Sequence, residues 1–136
     1  MADLADVPWA VRVSNMPKRS INLAEQNLLF IFGERRIGVR TAAVQRLWTP
    51  DGIFVDAEGV RVGQIAVVEA AGALLKRFPE YEFWKLQKPD SIPGATRLAW
   101  AFGTVGLPPA LTGFDILTFR ANRIAAVYRF VDGAAF

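Results

Sequence analysis

The chain has 136 residues, 52% of them hydrophobic, and 16 Lys and Arg against 13 Asp and Glu give a net charge of +3. This length predicts one domain with a single core, and the apolar fraction excludes an intrinsically disordered protein. Cys and His are both absent, which excludes structural zinc sites, cysteine nucleophiles and Ser-His-Asp triads. Basic residues are scattered along the chain, so no nucleic-acid partner is expected.

Neither a membrane span nor a secretion signal is predicted. No stretch approaches 18 consecutive apolar residues, and the first residues carry Asp where a signal peptide would carry basic side chains. The sequence also has no glycine-rich phosphate loop, EF-hand or dinucleotide fingerprint. We therefore expect a soluble cytoplasmic protein without a metal, a cofactor or a membrane partner.

The N-terminal residues 1–18 contain two prolines and no sustained period, which predicts an arm. Three of its apolar side chains are available to dock on the body: Trp9, Val11 and Val13. The domain itself is assigned to residues 19–136. Apolar residues at helical spacing and Gly or Pro stops then predict three helices, with a short strand before the third. These helices are placed at 20–33, 38–48 and 62–78, and the strand at 53–56.

The second half of the chain is typical of strands separated by Pro- and Gly-containing loops. The predicted strands are 81–87, 95–104, 111–120 and 123–132. Helices followed by an antiparallel meander predict an α+β fold in which the helices cover one face of the sheet. Both faces of these strands are rich in apolar residues, so we expect the outer face to pack against a second copy in a homodimer.

Strand alternation also predicts which side chains share a face. One set is Leu98, Trp100 and Phe102; a second is Gly113, Asp115, Leu117 and Phe119; a third is Val127, Arg129 and Val131. Asp115 is unusual here because Asp is unfavourable within a strand, which calls for a buried partner or a role in a pocket.

The order of elements and several local patterns resemble the SnoaL-like branch of the nuclear transport factor 2-like superfamily. The similarity extends from about Ser20 to Asp132 and is clearest at Leu47–Asp56, Thr112–Ile116 and Arg123–Tyr128. The resemblance implies a cystatin-like cone in which N-terminal helices pack on a curved, mostly antiparallel sheet and enclose a pocket. Predicted pocket residues are Phe32, Leu98, Trp100, Phe102, Leu117 and Val127.

The resemblance also implies roles for two aspartates. Asp56 falls where ketosteroid isomerases carry their proton-shuttling base, and Asp115 where they carry a protonated aspartic acid. A carboxyl group in an apolar pocket can act as acid or base near neutral pH. The oxyanion tyrosine of those enzymes has only Phe30 and Phe32 as counterparts, so ketosteroid isomerase activity itself is not expected.

Arg129 is the third candidate, because it shares a face with Val127 and Val131, and the resemblance implies that it points into the pocket beneath Asp115. An Asp-Arg pair is similar to the water-activating network of related epoxide hydrolases. Their Arg-x-Asp strand pattern is broken here, because the residue two positions after Arg97 is Ala99. Polyketide cyclases place an acid-base aspartate near Asp115, yet their histidine partner is absent.

Structural interpretations stand beside these roles. Asp56 could cap the turn that follows it, and Asp115 could form a salt bridge with Arg129. Two functions remain open: a cofactor-free acid-base enzyme of isomerase, cyclase, dehydratase or hydratase type acting on a small hydrophobic molecule, or a non-catalytic ligand-binding or dimerisation module.

Overall fold

Three helices and seven strands make up residues 18–133, the part of the chain that the computed structural model describes. Helix α1 is α-helical over residues 18–26 and continues as a wider π-helix at Asn27–Phe32; α2 is Ile37–Leu47 and α3 is Gln64–Arg77. The strands are β1 Trp48–Asp56, β2 Gly59–Val62, β3 Glu82–Lys85, β4 Asp90–Ile92, β5 Ala95–Gly103, β6 Leu111–Arg120 and β7 Arg123–Val131. The predicted α+β class is confirmed.

The strands form one sheet in the order β2-β1-β7-β6-β5-β3, with β4 also paired to β5. Strand β1 lies parallel to β7, and the other pairs are antiparallel. The first long strand therefore lies beside the last, and both are interior strands of the sheet.

Two short strands differ from the sequence prediction. Strand β2 was predicted as a turn leading into a helix, but Val60 and Val62 pair with β1, and α3 begins later, at Gln64. Strand β4 was predicted as a loop, because prolines flank it. A turn at Pro93 and Gly94 instead folds it back onto β5, and Gly94 supplies the positive φ of 87° that this turn needs.

Trp48 was predicted as the last residue of the second helix, but it begins β1. Its backbone is extended and its indole is fully buried, with Nε1 donating a hydrogen bond of 2.9 Å to Oδ1 of Asn27 in the π-helix. Tertiary packing therefore ends α2 at Leu47. The predicted arm lies outside the described residues except for Lys18, which is already helical.

The helices cover one face of the sheet, and the core lies between the two layers. Helical and strand residues with almost no exposed surface belong to one core cluster, which includes Leu28, Val44, Val67, Leu98, Leu117 and Val127. The alternation predicted for β5 is confirmed, since Leu98, Trp100 and Phe102 are all buried on the inner face. None of the helices within residues 18–133 is both long and apolar enough to cross a membrane.

Candidate functional site

A cavity of about 760 Å³ lies between α3 and the inner face of the sheet. Aromatic side chains form its floor, and charged side chains from the β1–β2 hairpin form part of its rim. The floor residues are Phe32, Phe54, Phe83, Trp100 and Phe102, and the rim residues are Asp56, Glu58 and Arg61. The space is therefore apolar in its depth and polar at its mouth.

Helix α3 leaves room for this cavity because three of the residues on its facing side, which also carries Leu74, are alanines. Ala66, Ala70 and Ala73 are spaced three and four residues apart, which places them on one side of the helix, and all three line the cavity. Val67, Ala71 and Leu75 lie on another side of α3 and are buried in the core. The helix thus packs firmly on one side and leaves space on the other.

A buried ion pair lies at the floor. Asp115 and Arg129 are opposite each other on β6 and β7, and their side chains are 1% and 5% exposed. Arg129 donates from Nε to Oδ1 and from Nη2 to Oδ2 of Asp115, each at 2.9 Å. Trp100 Nε1 donates to Oδ1 as well, also at 2.9 Å. Both carboxylate oxygens therefore accept hydrogen bonds, and the salt bridge that the sequence left open is present.

Aromatic rings surround the Arg129 guanidinium. Its central carbon lies 4.1 Å from the ring centre of Phe32 and between 5.2 and 5.3 Å from those of Phe54, Phe83 and Trp100. Cations at these distances are attracted to the electron-rich faces of aromatic rings. The rings and Asp115 together hold the guanidinium in one position.

Gly113 makes space for the Trp100 indole. The two residues are opposite each other on β6 and β5, and a Cβ atom at Gly113 would lie 2.5 Å from Trp100 Cζ2 and would clash with the Phe130 carbonyl oxygen. Since no side chain fits there, the indole can lie over β6. Its Nε1 then reaches Asp115.

The rim carries a second, more exposed ion pair. Oδ1 of Asp56 accepts hydrogen bonds from Glu58 N at 2.9 Å and from Arg61 Nη1 at 3.0 Å. Arg61 also bonds Glu58, and its guanidinium carbon lies 5.5 Å from the Phe54 ring centre. Asp56 thus stabilises the hairpin turn, as the sequence allowed, while it lines the cavity.

The structure brings the three predicted catalytic residues into one row. Val55 on β1 pairs with Tyr128 on β7, and Asp56 and Arg129 are the next residues on these two strands. On its other side, Arg129 is opposite Asp115 of β6. Asp56 and Arg129 line the cavity, whereas Asp115 lies behind Arg129 and is not among the lining residues. Within residues 18–133 no three acidic side chains are grouped so that they could hold a metal ion.

The predicted pocket residues separate into two groups. Phe32, Trp100 and Phe102 line the cavity. The other three, Leu98, Leu117 and Val127, are a correction: they are fully buried in the core cluster and do not reach the wall. Strand alternation gave their face correctly, but the helices cover that part of it.

Sequence reasoning missed several wall residues. Phe83 and Arg61 lie on the short strands β3 and β2, and the alanines of α3 resemble ordinary helix formers. One signal was present: Ala66, Ala70 and Ala73 recur at helical spacing on a side of α3 that carries more small residues than large apolar ones, Leu74 being the large one that lines the cavity. Such a side is typical of a helix that faces open space.

Comparison with solved structures gives the same architecture. A SnoaL-like family protein from Agrobacterium tumefaciens, described as a candidate isomerase, has a TM-score of 0.78 at 24% identity, covering 85% of this chain and 99% of that one. A candidate SnoaL-like polyketide cyclase from a Jannaschia species has a TM-score of 0.71 at 10% identity, covering 87% and 88%. A cystatin-fold protein from Novosphingobium aromaticivorans has a TM-score of 0.63 at 13% identity, covering 82% and 97%.

This chain has the SnoaL-like, cystatin-like cone fold. The predicted resemblance is thereby confirmed at the level of the fold. No protein-family model and no curated protein matches the sequence. At these identities the likeness concerns architecture, and function has to be argued from the cavity.

Proposed function

We propose that this protein binds a small, mostly apolar molecule in the cavity between α3 and the sheet. The observation that carries the proposal is the aromatic floor beneath a cavity of about 760 Å³. Cavities of roughly 300–1,000 Å³ with apolar walls and few polar groups are the usual form of small-molecule sites. Ala66, Ala70 and Ala73 keep this space open on the helix side.

We further propose that the bound molecule undergoes proton transfer without a cofactor, in a reaction of isomerase, cyclase, dehydratase or hydratase type. Asp56 would act as the base. Its Oδ1 is held by Glu58 N and Arg61, whereas its Oδ2 accepts no hydrogen bond from residues 18–133. Such an oxygen can take a proton from a ligand in the cavity. Asp115 would instead hold Arg129, because its oxygens are occupied and buried.

Binding can be tested with N-phenyl-1-naphthylamine, an uncharged fluorophore that brightens in apolar surroundings. The wild-type protein should bind it saturably. Ala70→Phe, which places a ring inside the cavity, should weaken binding at least tenfold. Ala42→Phe is the matched control, because Ala42 is exposed on α2 and does not line the cavity. Equal binding by all three proteins would contradict the proposal.

Proton transfer can be tested separately with 2-tetralone, an apolar ketone with acidic protons beside the carbonyl. In D2O, NMR should show faster exchange of these protons with the protein than without it. Asp56→Asn should lower this acceleration by about 10²-fold or more, because the amide is a poor base. Binding without acceleration in the wild-type protein would favour the alternative, a non-catalytic ligand-binding module.

We also propose that the protein forms a homodimer through the outer face of the sheet. Helices cover the inner face, whereas Phe130 and Tyr128 remain 48% and 37% exposed on the outer face. The rings of Phe114 and Phe130 stack there at 4.9 Å and add to the same apolar surface. Apolar surface of this kind on a sheet favours association with another copy.

Sedimentation velocity tests the dimer proposal. The wild-type protein should sediment as a dimer at micromolar concentration, and Phe130→Lys should shift it to a monomer, because a charge would enter the interface. Ile65→Lys serves as a control, since Ile65 is 76% exposed on α3, which covers the opposite face of the sheet. A wild-type protein that is monomeric at all concentrations would overturn the dimer proposal.

A further inference from the structure

We propose that Arg129 selects ligands that carry an uncharged oxygen acceptor, such as a carbonyl, over both hydrocarbons and carboxylates. This inference rests on the proposed binding of a small molecule in the same cavity. It assigns the polar part of that ligand to one donor group on the cavity floor.

One edge of the Arg129 guanidinium is bound by Asp115 and another is left open. Arginine has five N–H donors in a planar fork, and Asp115 occupies the edge formed by Nε and Nη2 of Arg129. The Nη1 hydrogens therefore point away from Asp115. Within residues 18–133 they have no acceptor, and Arg129 lines the cavity. Nη1 is thus open to the cavity, and a ligand without an acceptor would cover it and leave it unpaired, which is costly, whereas a ligand oxygen accepts from it.

The Arg129 guanidinium is held in place before a ligand binds. Two hydrogen bonds to Asp115 and the surrounding rings, with Phe32 nearest at 4.1 Å, leave the Arg129 guanidinium no freedom to follow a misplaced ligand. A donor that is fixed before binding loses little entropy when the ligand arrives. Asp115 is accordingly a positioning residue: it acts on the ligand through Arg129.

The charges around the cavity disfavour an anionic ligand. Of residues 18–133, three acidic residues and three arginines line the cavity, namely Asp56, Glu58, Glu69, Arg61, Arg77 and Arg129. Asp115 lies directly behind Arg129 and neutralises it. A carboxylate ligand would thus lose its hydration without meeting a net positive charge, which is unfavourable. An uncharged carbonyl oxygen gives up much less hydration and still accepts from Nη1.

The test uses three naphthalenes with the same ring and substituents of similar shape: 2-acetylnaphthalene, 2-isopropenylnaphthalene and 2-naphthoate. Each is titrated against bound N-phenyl-1-naphthylamine, which has no oxygen acceptor of its own. The wild-type protein should bind the ketone about tenfold more tightly than the hydrocarbon, as one hydrogen bond to a charged group predicts. It should bind the carboxylate more weakly than the ketone.

The matched variant is Asp115→Asn with Arg129→Met, which removes both charges and keeps an acceptor for Trp100. We expect the ketone preference to disappear while affinity for the hydrocarbon stays within about threefold, with folding checked by circular dichroism. Asp115→Asn alone should reduce the ketone preference, because the guanidinium of Arg129 loses the carboxylate that holds it in place. A role confined to fold stability would weaken binding of all three compounds alike.

The wild-type measurement keeps the inference falsifiable even if the variants do not fold. Tighter binding of the hydrocarbon than of the ketone would overturn the role of Arg129 and leave the proposed binding function standing. Tightest binding of 2-naphthoate would overturn it too, because the floor would then be an anion site. If none of the three compounds displaced the probe and the probe itself did not bind, the proposed function would fail first.

Discussion

Two arginine-carboxylate pairs lie at the cavity. Their N···O distances are nearly the same, but their surroundings differ. Arg129 and Asp115 on the floor are 2.9 Å apart with side chains 5% and 1% exposed, whereas Arg61 and Asp56 on the rim are 3.0 Å apart with side chains 28% and 21% exposed. Water can replace a lost partner on the rim and cannot do so on the floor. We therefore expect that breaking the floor pair lowers the free energy of unfolding more than breaking the rim pair, although the two distances are nearly equal.

The difference also separates two tasks. The floor pair has all its carboxylate acceptors engaged and fixes a donor in place, while the rim carboxylate keeps one oxygen available. Burial thus makes one pair a fixed support. Partial exposure leaves the other able to exchange protons with a ligand or with water.

The largest effect is expected on breaking the floor pair. Arg129→Met leaves the Asp115 charge buried without its partner and should lower the free energy of unfolding by about 3–5 kcal/mol. Urea unfolding at neutral pH measures this loss. The double variant with Asp115→Asn should recover a large part of it, because no buried charge remains. A single variant as stable as the wild type would show that the two pairs do not differ in this way.

A smaller loss of stability is expected at Gly113, where the absence of a side chain makes room for the Trp100 indole. Gly113→Ala brings a methyl group against Trp100 and the Phe130 carbonyl and should cost about 1–3 kcal/mol. Gly38→Ala is the control: nothing lies within 4 Å of its added Cβ, and the site is in helix α2. There alanine should stabilise by up to about 1 kcal/mol. Thermal unfolding of both variants separates steric crowding from a general response to alanine.

The smallest effect is expected at the rim. Asp56→Asn keeps an oxygen for Glu58 N and loses only the charge that attracts Arg61, so stability should change by less than about 1 kcal/mol. Because exposed pairs are screened by salt, this difference should shrink further at 1 M NaCl. A loss as large as that of Arg129→Met, independent of salt, would mean that the rim pair is as isolated from water as the floor pair.

Much of the sheet could be predicted from the sequence because period-two alternation is a local property. It grouped Asp115 with Leu117 and Arg129 with Val127, while the resemblance assigned both to the pocket side, and their salt bridge was one interpretation. It could not distinguish Trp100, which faces the cavity, from Leu98, which lies under the helices two residues earlier. That distinction depends on how far the helices extend across the sheet.

Other features depend on contacts between distant segments and left weak local signals. The strand β2 has only four residues, and its partner register places Arg61 at the rim. Trp48 leaves the helical pattern because its buried indole bonds to Asn27, which is far away in sequence. Asp56 was assigned either a site role by resemblance or a cap of the following turn, and the structure has the cap while Asp56 also lines the cavity.

The parallel pairing of β1 with β7 has a consequence for folding order. Asp56 and Arg129 are separated by more than half the length of the chain and become neighbours only through that pairing. Contacts so distant in sequence form slowly, because a long loop must close before they are rewarded. The donor and the carboxylate of the cavity should therefore come together late, so ligand binding reports that the whole sheet has assembled.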